Sequence, residues 1–442
     1  MNFKLVQSNE LIITPTGVAI IGAILNNNTN LLKRLNEFKI PEVLEDPEIT
    51  NAEILKSYVA LLCMGKSDFE SIEEYRGNEF FMKALGINKV PSCSTLRQRL
   101  DMVKNKWNKI ILEENVNLLK EIGVNYTPCY KSYIPLDIDV SPFDNSKTKK
   151  EGVSRTYKGC DGFAPIFAYL GDEGYCINME FREGKVHCQK GTPEFLKQTL
   201  LYAKKATQGN ILVRLDSGND SADNIIILHN KETKADFIIK RNLRKEKLEE
   251  WLKTAKEKGK CNQPRDGKKV YIGETYLDIK GLENKQRVIF EVTERTIDKK
   301  GQVFMFPEVQ VDTYWTSLSE TPEEVIELYH NHGTSEQFHS EIKTDLDLER
   351  LPSGKFDTNS LVLTMGIFAY NILKIIGQES LKVDDAPARK KIKRRRLKTV
   401  IKNIITIASK LVKHAGSIKL NFGKCCSWFD TFKRIYYRFA IT

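Results

Sequence analysis

SYIPLDIDVS (132–141), FAPIFAYLG (163–171) and YCINMEFREG (175–184) are short runs of alternating apolar residues separated by glycine or acidic turn residues, and they predict three consecutive strands. TPEFLKQTLLYAKKA (192–206) follows with a Thr192–Pro193 start and Glu194 in the first turn, which predicts a helix. NILVRLDSG (210–218) reads as a buried strand, SADNIIILHNKE (221–232) as a short helix and ADFIIKRN (235–242) as another strand. The order β-β-β-α-β-α-β predicts an α/β sheet with an antiparallel beginning and a parallel continuation. It places Asp139 at or near the end of the first strand and Asp216 at the end of the fourth.

Outward from this stretch the texture changes on both sides. Residues 1–130 hold amphipathic segments such as NAEILKSYVALLCMG (51–65) and TLRQRLDMVKNKWNKIILEENVNLL (95–119), so the N-terminal part is expected to be helical. After a Lys- and Glu-rich stretch (243–260) come the strand-like runs KVYIGETYLDI, QRVIFEVTERT and VFMFPEVQVDTYWTSL, read as an inserted β-rich module over 244–314. Helix returns in TPEEVIELYHNHGTSEQFHSEIKTDLDLERL (321–351), with a capping box at Thr321 and Glu324 and a second expected at Thr334 and Gln337. Gly333 is a candidate break between two abutting helices. Leu361–Ile376 reads as a buried helix, and Asp384–Pro387 as a linker.

At 442 residues, 41% hydrophobic and 29% charged, the chain has the composition of a soluble protein of two or three domains. Its nine cysteines are scattered without a Cys-x-x-Cys pair, which points to a reducing cytoplasm and not to a disulfide framework. Neither an export signal nor a membrane span is expected, since Glu10 interrupts the N-terminal segment and Asn371 the longest apolar run. The net charge is +11, and residues 379–442 alone carry +13, with seventeen Lys or Arg against four Asp or Glu. Eight of these cations, Arg389, Lys390, Lys391, Lys393, Arg394, Arg395, Arg396 and Lys398, form a patch suited to phosphate backbones; a solvated helix is the alternative.

Asp139, Asp216 and Glu336 are the candidate chemical centre. Carboxylates at the carboxyl ends of neighbouring strands, with a third on a later helix, suit Mg²⁺ or Mn²⁺ better than softer ions. Two such ions about 3.5–4 Å apart activate a water or a 3′-hydroxyl and stabilise the leaving oxygen of a phosphodiester. Tyr329, His332, Glu336 and Lys343 stand at offsets of three, four and seven residues, which would place all four on one stripe of an unbroken helix.

YHNHGTSEQFHSEIK (329–343), with LDIDVS (136–141), VRLDSG (213–218) and FAYNIL (368–373), resembles the DDE transposases of bacterial insertion sequences. The resemblance is to the group marked by Tyr, two residues, Arg, three residues, Glu, six residues and Lys around the catalytic glutamate. It implies a ribonuclease-H-like catalytic core, with Asp139, Asp216 and Glu336 as catalytic residues and ligands of two Mg²⁺ or Mn²⁺ ions. Asp139 is preferred because Val140–Ser141 follow it; Asp137, on the same face, is the alternative. The implied activity is cleavage at terminal inverted repeats and joining of the 3′-hydroxyl ends to target DNA, by a cytoplasmic homodimer on paired ends. The alternatives are a nuclease of the same fold and a catalytically idle DNA-binding protein derived from a transposase.

In that frame the organisation is a helical DNA-binding domain over 1–130, a catalytic core over 131–243 and 315–378 interrupted by the β-rich insertion, and a basic helical tail over 379–442. Tyr329 and Lys343 would contact terminal phosphates. His332 stands where the group has Arg, and histidine makes one bond at best where arginine makes a bidentate fork. Ser92 or Ser94 caps a helix that projects Arg97 and Arg99, either a groove-reading helix or a plain surface one. Trp315 is a candidate platform for an unpaired base, with core packing as the alternative. His330, His332 and His339 crowd one segment, but a zinc site is disfavoured because His-x-His suits a strand and not a helix.

Overall fold

In the computed structural model the described residues are 3, 5–39, 47–230, 232–233, 235–298, 300–387, 392–414 and 416–441. They form two compact units, one from the described residues of 125–142 and 164–337, the other from those of 1–124, 143–163 and 338–442.

The first unit is built on one nine-stranded sheet. Its strands are β1 (Tyr133–Val140), β2 (Ile166–Leu170), β3 (Tyr175–Glu180), β4 (Asn210–Leu215), β5 (Asp236–Lys240), β6 (Lys260–Arg265), β7 (Lys268–Leu277), β8 (Gln286–Ile297) and β9 (Val303–Thr316). The spatial order is β6-β7-β8-β9-β5-β4-β1-β2-β3. β1, β2 and β3 pair antiparallel, while β4 runs parallel to β1 and β5 parallel to β4. Helices α1 (Thr192–Ala206) and α2 (Ala222–His229) are the crossovers that parallel pairing requires. β1 is buried along almost its whole length, as expected of a central strand covered on both faces.

The β-rich insertion is not a separate sheet. β9 is 14 residues long, and its N-terminal part pairs with β8 alone. Its last residues, Tyr314–Thr316, add antiparallel to β5, so the insertion extends the core sheet and the boundary at 314 falls inside a strand. The apolar burial of the strand's last four residues explains why it docks there. Helix α3 (Leu248–Lys258) packs across β7, β8 and β9, and α4 (Pro322–His330) starts at the Thr321–Glu324 capping box as expected.

The second unit is mainly helical. Its longest helix, Phe356–Glu379, is long and apolar enough to cross a membrane, yet it is buried against the helices Asn51–Cys63 and Asn108–Ile122. Asn371 inside it donates to Asn115 Oδ1 at 2.8 Å, which satisfies the amide that interrupted the apolar run.

The basic segment is not a helical tail. Arg394 and the buried Lys374 both pair with the carboxylate of Glu341, at 3.1 and 2.7 Å. Arg396 holds Asp345 with two nitrogens at 2.9 and 3.0 Å, and Arg395 is buried, its guanidinium 5.2 Å from the Trp428 ring centre. A hairpin, Ser409–His414 with Ser417–Phe422, then pairs with Ile12–Ile13 before the last helix, Phe429–Ala440. Arg394, Arg395 and Arg396 therefore anchor the segment to acids and aromatics of their own unit and are not a free phosphate patch. Lys393 and Lys398 are exposed; Arg389, Lys390 and Lys391 lie outside the described residues.

Removing one partner of a buried ion pair leaves an uncompensated charge. Glu341→Ala, which takes its carboxylate away from the buried Lys374, is expected to destabilise the protein by about 3–5 kcal/mol. Chemical denaturation of the variant checks this, and a loss below about 1 kcal/mol would mean that the pair contributes no more than a surface bridge.

Candidate active site

β1 and β4 run parallel with Asp137 opposite Arg214 and Ile138 opposite Leu215. Side chains alternate along a strand, so Asp137 and Asp139 share one face of the sheet, and Arg214 shares its face with the residue two further on, Asp216. The register thus carries two charged levels. At the inner level Arg214 grips Asp137 with Nε to Oδ1 at 2.6 Å and a terminal nitrogen to Oδ2 at 2.8 Å, both side chains being almost fully buried. Its remaining nitrogen donates to the carbonyl of Leu328 at 2.8 Å, at the end of α4.

At the outer level are Asp139 and Asp216, both partly buried. Burial pushes the Asp216 carboxyl above its usual range, and the negative charge of Asp139 pushes it further; the Asn219 amide, donating to Asp216 Oδ1 at 2.8 Å, pulls it back. Asp139 Oδ1 accepts from the amide of Val140 at 2.8 Å. Asp137 is committed to Arg214, so of the two aspartates on β1 it is the structural one, and Asp139 is the one whose charge reaches Asp216.

His332 is mostly buried, with Nδ1 3.0 Å from Asp137 Oδ1. Burial opposes its positive charge, but Asp137 outweighs burial and the imidazole pKa is raised. His332, expected at the DNA, occupies the inner charged level beside Arg214 in this structure. Tyr329 packs its ring 4.8 Å from that of Tyr314 and 5.9 Å from the His332 ring. Burial and the charges of Asp216 and Asp139 hold its hydroxyl protonated well above the ordinary range.

Glu336 lies on the short helix Ser335–Ser340 and is exposed. The stripe expected of an unbroken helix does not form, because a 3₁₀ turn at Asn331–Thr334 and a π turn at Glu341–Asp345 interrupt the register. Thr334, the expected cap of the second box, is the last residue of the 3₁₀ turn. Among the described residues no three His, Cys, Asp or Glu side chains stand close enough together to hold a metal ion, so Glu336 does not complete a ligand set with the two aspartates. In the other unit, Lys343 lies in the π turn with its ammonium 5.3 Å from the Phe143 ring centre.

Trp315, the candidate base platform, is packed inside its own unit. It is mostly buried, its indole nitrogen donates to Asp220 Oδ1 at 2.8 Å, and the Arg241 guanidinium covers its ring at 4.5 Å. Arg241 also faces Trp251 at 5.4 Å and pairs with Glu246, so β9 is tied to the loop that follows Asp216. In the second unit the helix Cys93–Val103 is capped by Ser92; Arg97 is exposed over the Phe69 ring and Arg99 donates to Asn51 at 2.8 Å.

Sequence reading missed Arg214 and Asn219. The signal for Arg214 was present: a charged residue in an apolar strand needs a partner, and DID on one strand matches RLD on its parallel neighbour. Asn219 gave no such signal, because Asn after Asp-Ser-Gly also reads as turn chemistry.

Two aspartates at the carboxyl ends of adjacent parallel strands define a mixed α/β protein with an acidic site at the edge where such sheets bind ligands. Over residues 13–441 the chain matches the family model described as Transposase DDE domain group 1, and it belongs to that family of DNA transposases. Among solved structures it is similar to the piggyBac transposase synaptic complex with hairpin DNA, seen by cryo-EM. The two are 11% identical over 87% of this chain and 78% of that one, with a TM-score of 0.43. No curated protein matches the chain.

Arg214→Met leaves Asp137 buried with His332 as its remaining charged partner and is expected to cost about 3–5 kcal/mol. The double variant Asp137→Leu/Arg214→Met, which removes both charges, is expected to be more stable than Arg214→Met alone. Urea unfolding of the two variants decides this, and a double variant less stable than the single would contradict the pairing.

Proposed function

We propose that this transposase is of the insertion-sequence type marked by the Tyr-Arg-Glu-Lys signature, with a ribonuclease-H-like core. It cuts at the terminal inverted repeats of its element and joins the freed 3′-hydroxyl ends to target DNA. The observation that carries the reading is the outer charged level: Asp139 and Asp216 side by side on parallel strands, one raising the pKa of the other. The strand order β3-β2-β1-β4-β5, three antiparallel then two parallel, supports the fold assignment.

The donor set fits Mg²⁺ or Mn²⁺, since two like-charged oxygen donors in a partly buried site are relieved by a hard cation. Asp139 and Asp216 would hold it, with Glu336 as the third carboxylate by its place in the signature. When bound, two such ions supply Lewis acidity and a nucleophile at neutral pH. Tyr329, kept protonated beside the two aspartates, donates to a phosphate oxygen, and Lys343 adds a point charge for the backbone. Arg97, Lys393 and Lys398, exposed, supply further backbone contacts. The protein works as a homodimer on paired DNA ends in the bacterial cytoplasm.

One observation favours a second reading, a catalytically idle DNA-binding derivative: Glu336 stands outside the aspartate pair. Incubation with Mg²⁺ and a labelled duplex carrying the element's own end separates the two. Cleavage at the end junction is expected from the wild type, with losses exceeding the about 10–100-fold typical of residues that only support a ligand in Asp216→Asn and Glu336→Gln. Binding without cleavage by the wild type would establish the idle reading. Cleavage without strand-transfer products would make the protein a nuclease, and full activity of Glu336→Gln would remove that residue from the site.

A further inference from the structure

The loop after β4 is held by a set of hydrogen bonds, three of which meet at one residue. Asn219 is fully buried. Its backbone amide donates to the Asp216 carbonyl at 3.1 Å, closing the turn, while its side-chain amide donates to Asp216 Oδ1 at 2.8 Å. The Asn219 carbonyl accepts from the side chain of Asn224 at 2.8 Å, on the first turn of α2. Asn224 is itself fully buried and also donates to Gln189 Oε1 at 3.0 Å, and Gln189 Nε2 donates to Ser221 at 2.7 Å. Cys188 donates to the Gly218 carbonyl at 2.9 Å, and a side chain on Gly218 would meet the Cys188 sulfur at 2.7 Å.

A carboxylate can only accept, so the amide nitrogen is the end of Asn219 that faces Asp216. Among the described residues the buried Asn219 Oδ1 has no hydrogen-bond partner, and the side chain's hydrogen bond there is the one to the aspartate. Turn closure is already supplied by the backbone amide. A buried amide whose other end is unsatisfied costs free energy, and the turn does not require it.

We propose that Asn219 is a positioning residue of the active site. Its amide occupies Oδ1 of Asp216 and fixes the plane of the carboxylate, so that Oδ2 is presented to the cation, and the Asn224–Gln189–Ser221 chain fixes Asn219 in turn. This rests on the reading of Asp139 and Asp216 as cation ligands.

The test is Mn²⁺ binding to the full-length protein, followed by the loss of the free-ion electron paramagnetic resonance signal, together with thermal melting. The wild type is expected to bind Mn²⁺ and Asp139→Asn to lose it. Asn219→Ala is expected to bind about tenfold more weakly, the low end of what a charge-assisted hydrogen bond contributes. Asn224→Ala, which leaves the Asn219 side chain in place, is expected to show a smaller loss and serves as the readout if Asn219→Ala does not fold. A purely structural Asn219 would lower the melting temperature and leave Mn²⁺ affinity unchanged, and that result overturns the proposal. Wild-type affinity in Asn224→Ala with unfolded Asn219→Ala overturns it as well. Absence of Mn²⁺ binding by the wild type overturns the cation reading and this proposal together, whereas failure of the Asn variants alone leaves the cation reading standing.

Discussion

The Arg214–Asp137 pair is the interaction on which the site depends. A slip by one residue between β1 and β4 would turn every side chain to the opposite face. A buried bidentate pair between β1 and β4 fixes one register, because any other leaves two unpaired charges in the core of the sheet. With that register set, Asp139 and Asp216, each two residues further on, arrive together at the strand ends without any contact between them having to be favourable. His332 and the Leu328 carbonyl extend the same lock to α4 and the turn after it.

This arrangement separates two tasks that would conflict in a single pair of residues. The inner level is charge-balanced and buried, and it specifies position. The outer level is an excess of negative charge, held in place by the inner one and by the Asn219 loop, and Asp216 has its pKa raised as the consequence. Groups held against their own preference in this way are characteristic of sites that act on a ligand.

Much of this was legible in the sequence, for identifiable reasons. The β-β-β-α-β-α-β order followed from period and turn chemistry, and the ends of β1 and β4 from Asp139 and Asp216 themselves. Choosing between Asp137 and Asp139 required the register, since both occupy one face. What failed were statements about surroundings. Trp315, His332, Arg394 and Arg396 are types that often meet nucleic acid, but each is bound to an internal partner that lies far away in sequence: Asp220, Asp137, Glu341 and Asp345. Charge runs report composition and not exposure. That the inserted β-rich stretch continues the core sheet was not legible, because sequence period cannot show that the end of β9 pairs with β5.

The most direct measurement is the anomalous scattering of Mn²⁺ soaked into crystals of the protein. The account predicts a peak at the carboxylates of Asp139 and Asp216, with Asp137 still paired to Arg214. A peak on Asp137, or none near the two strand ends at saturating Mn²⁺, would contradict it.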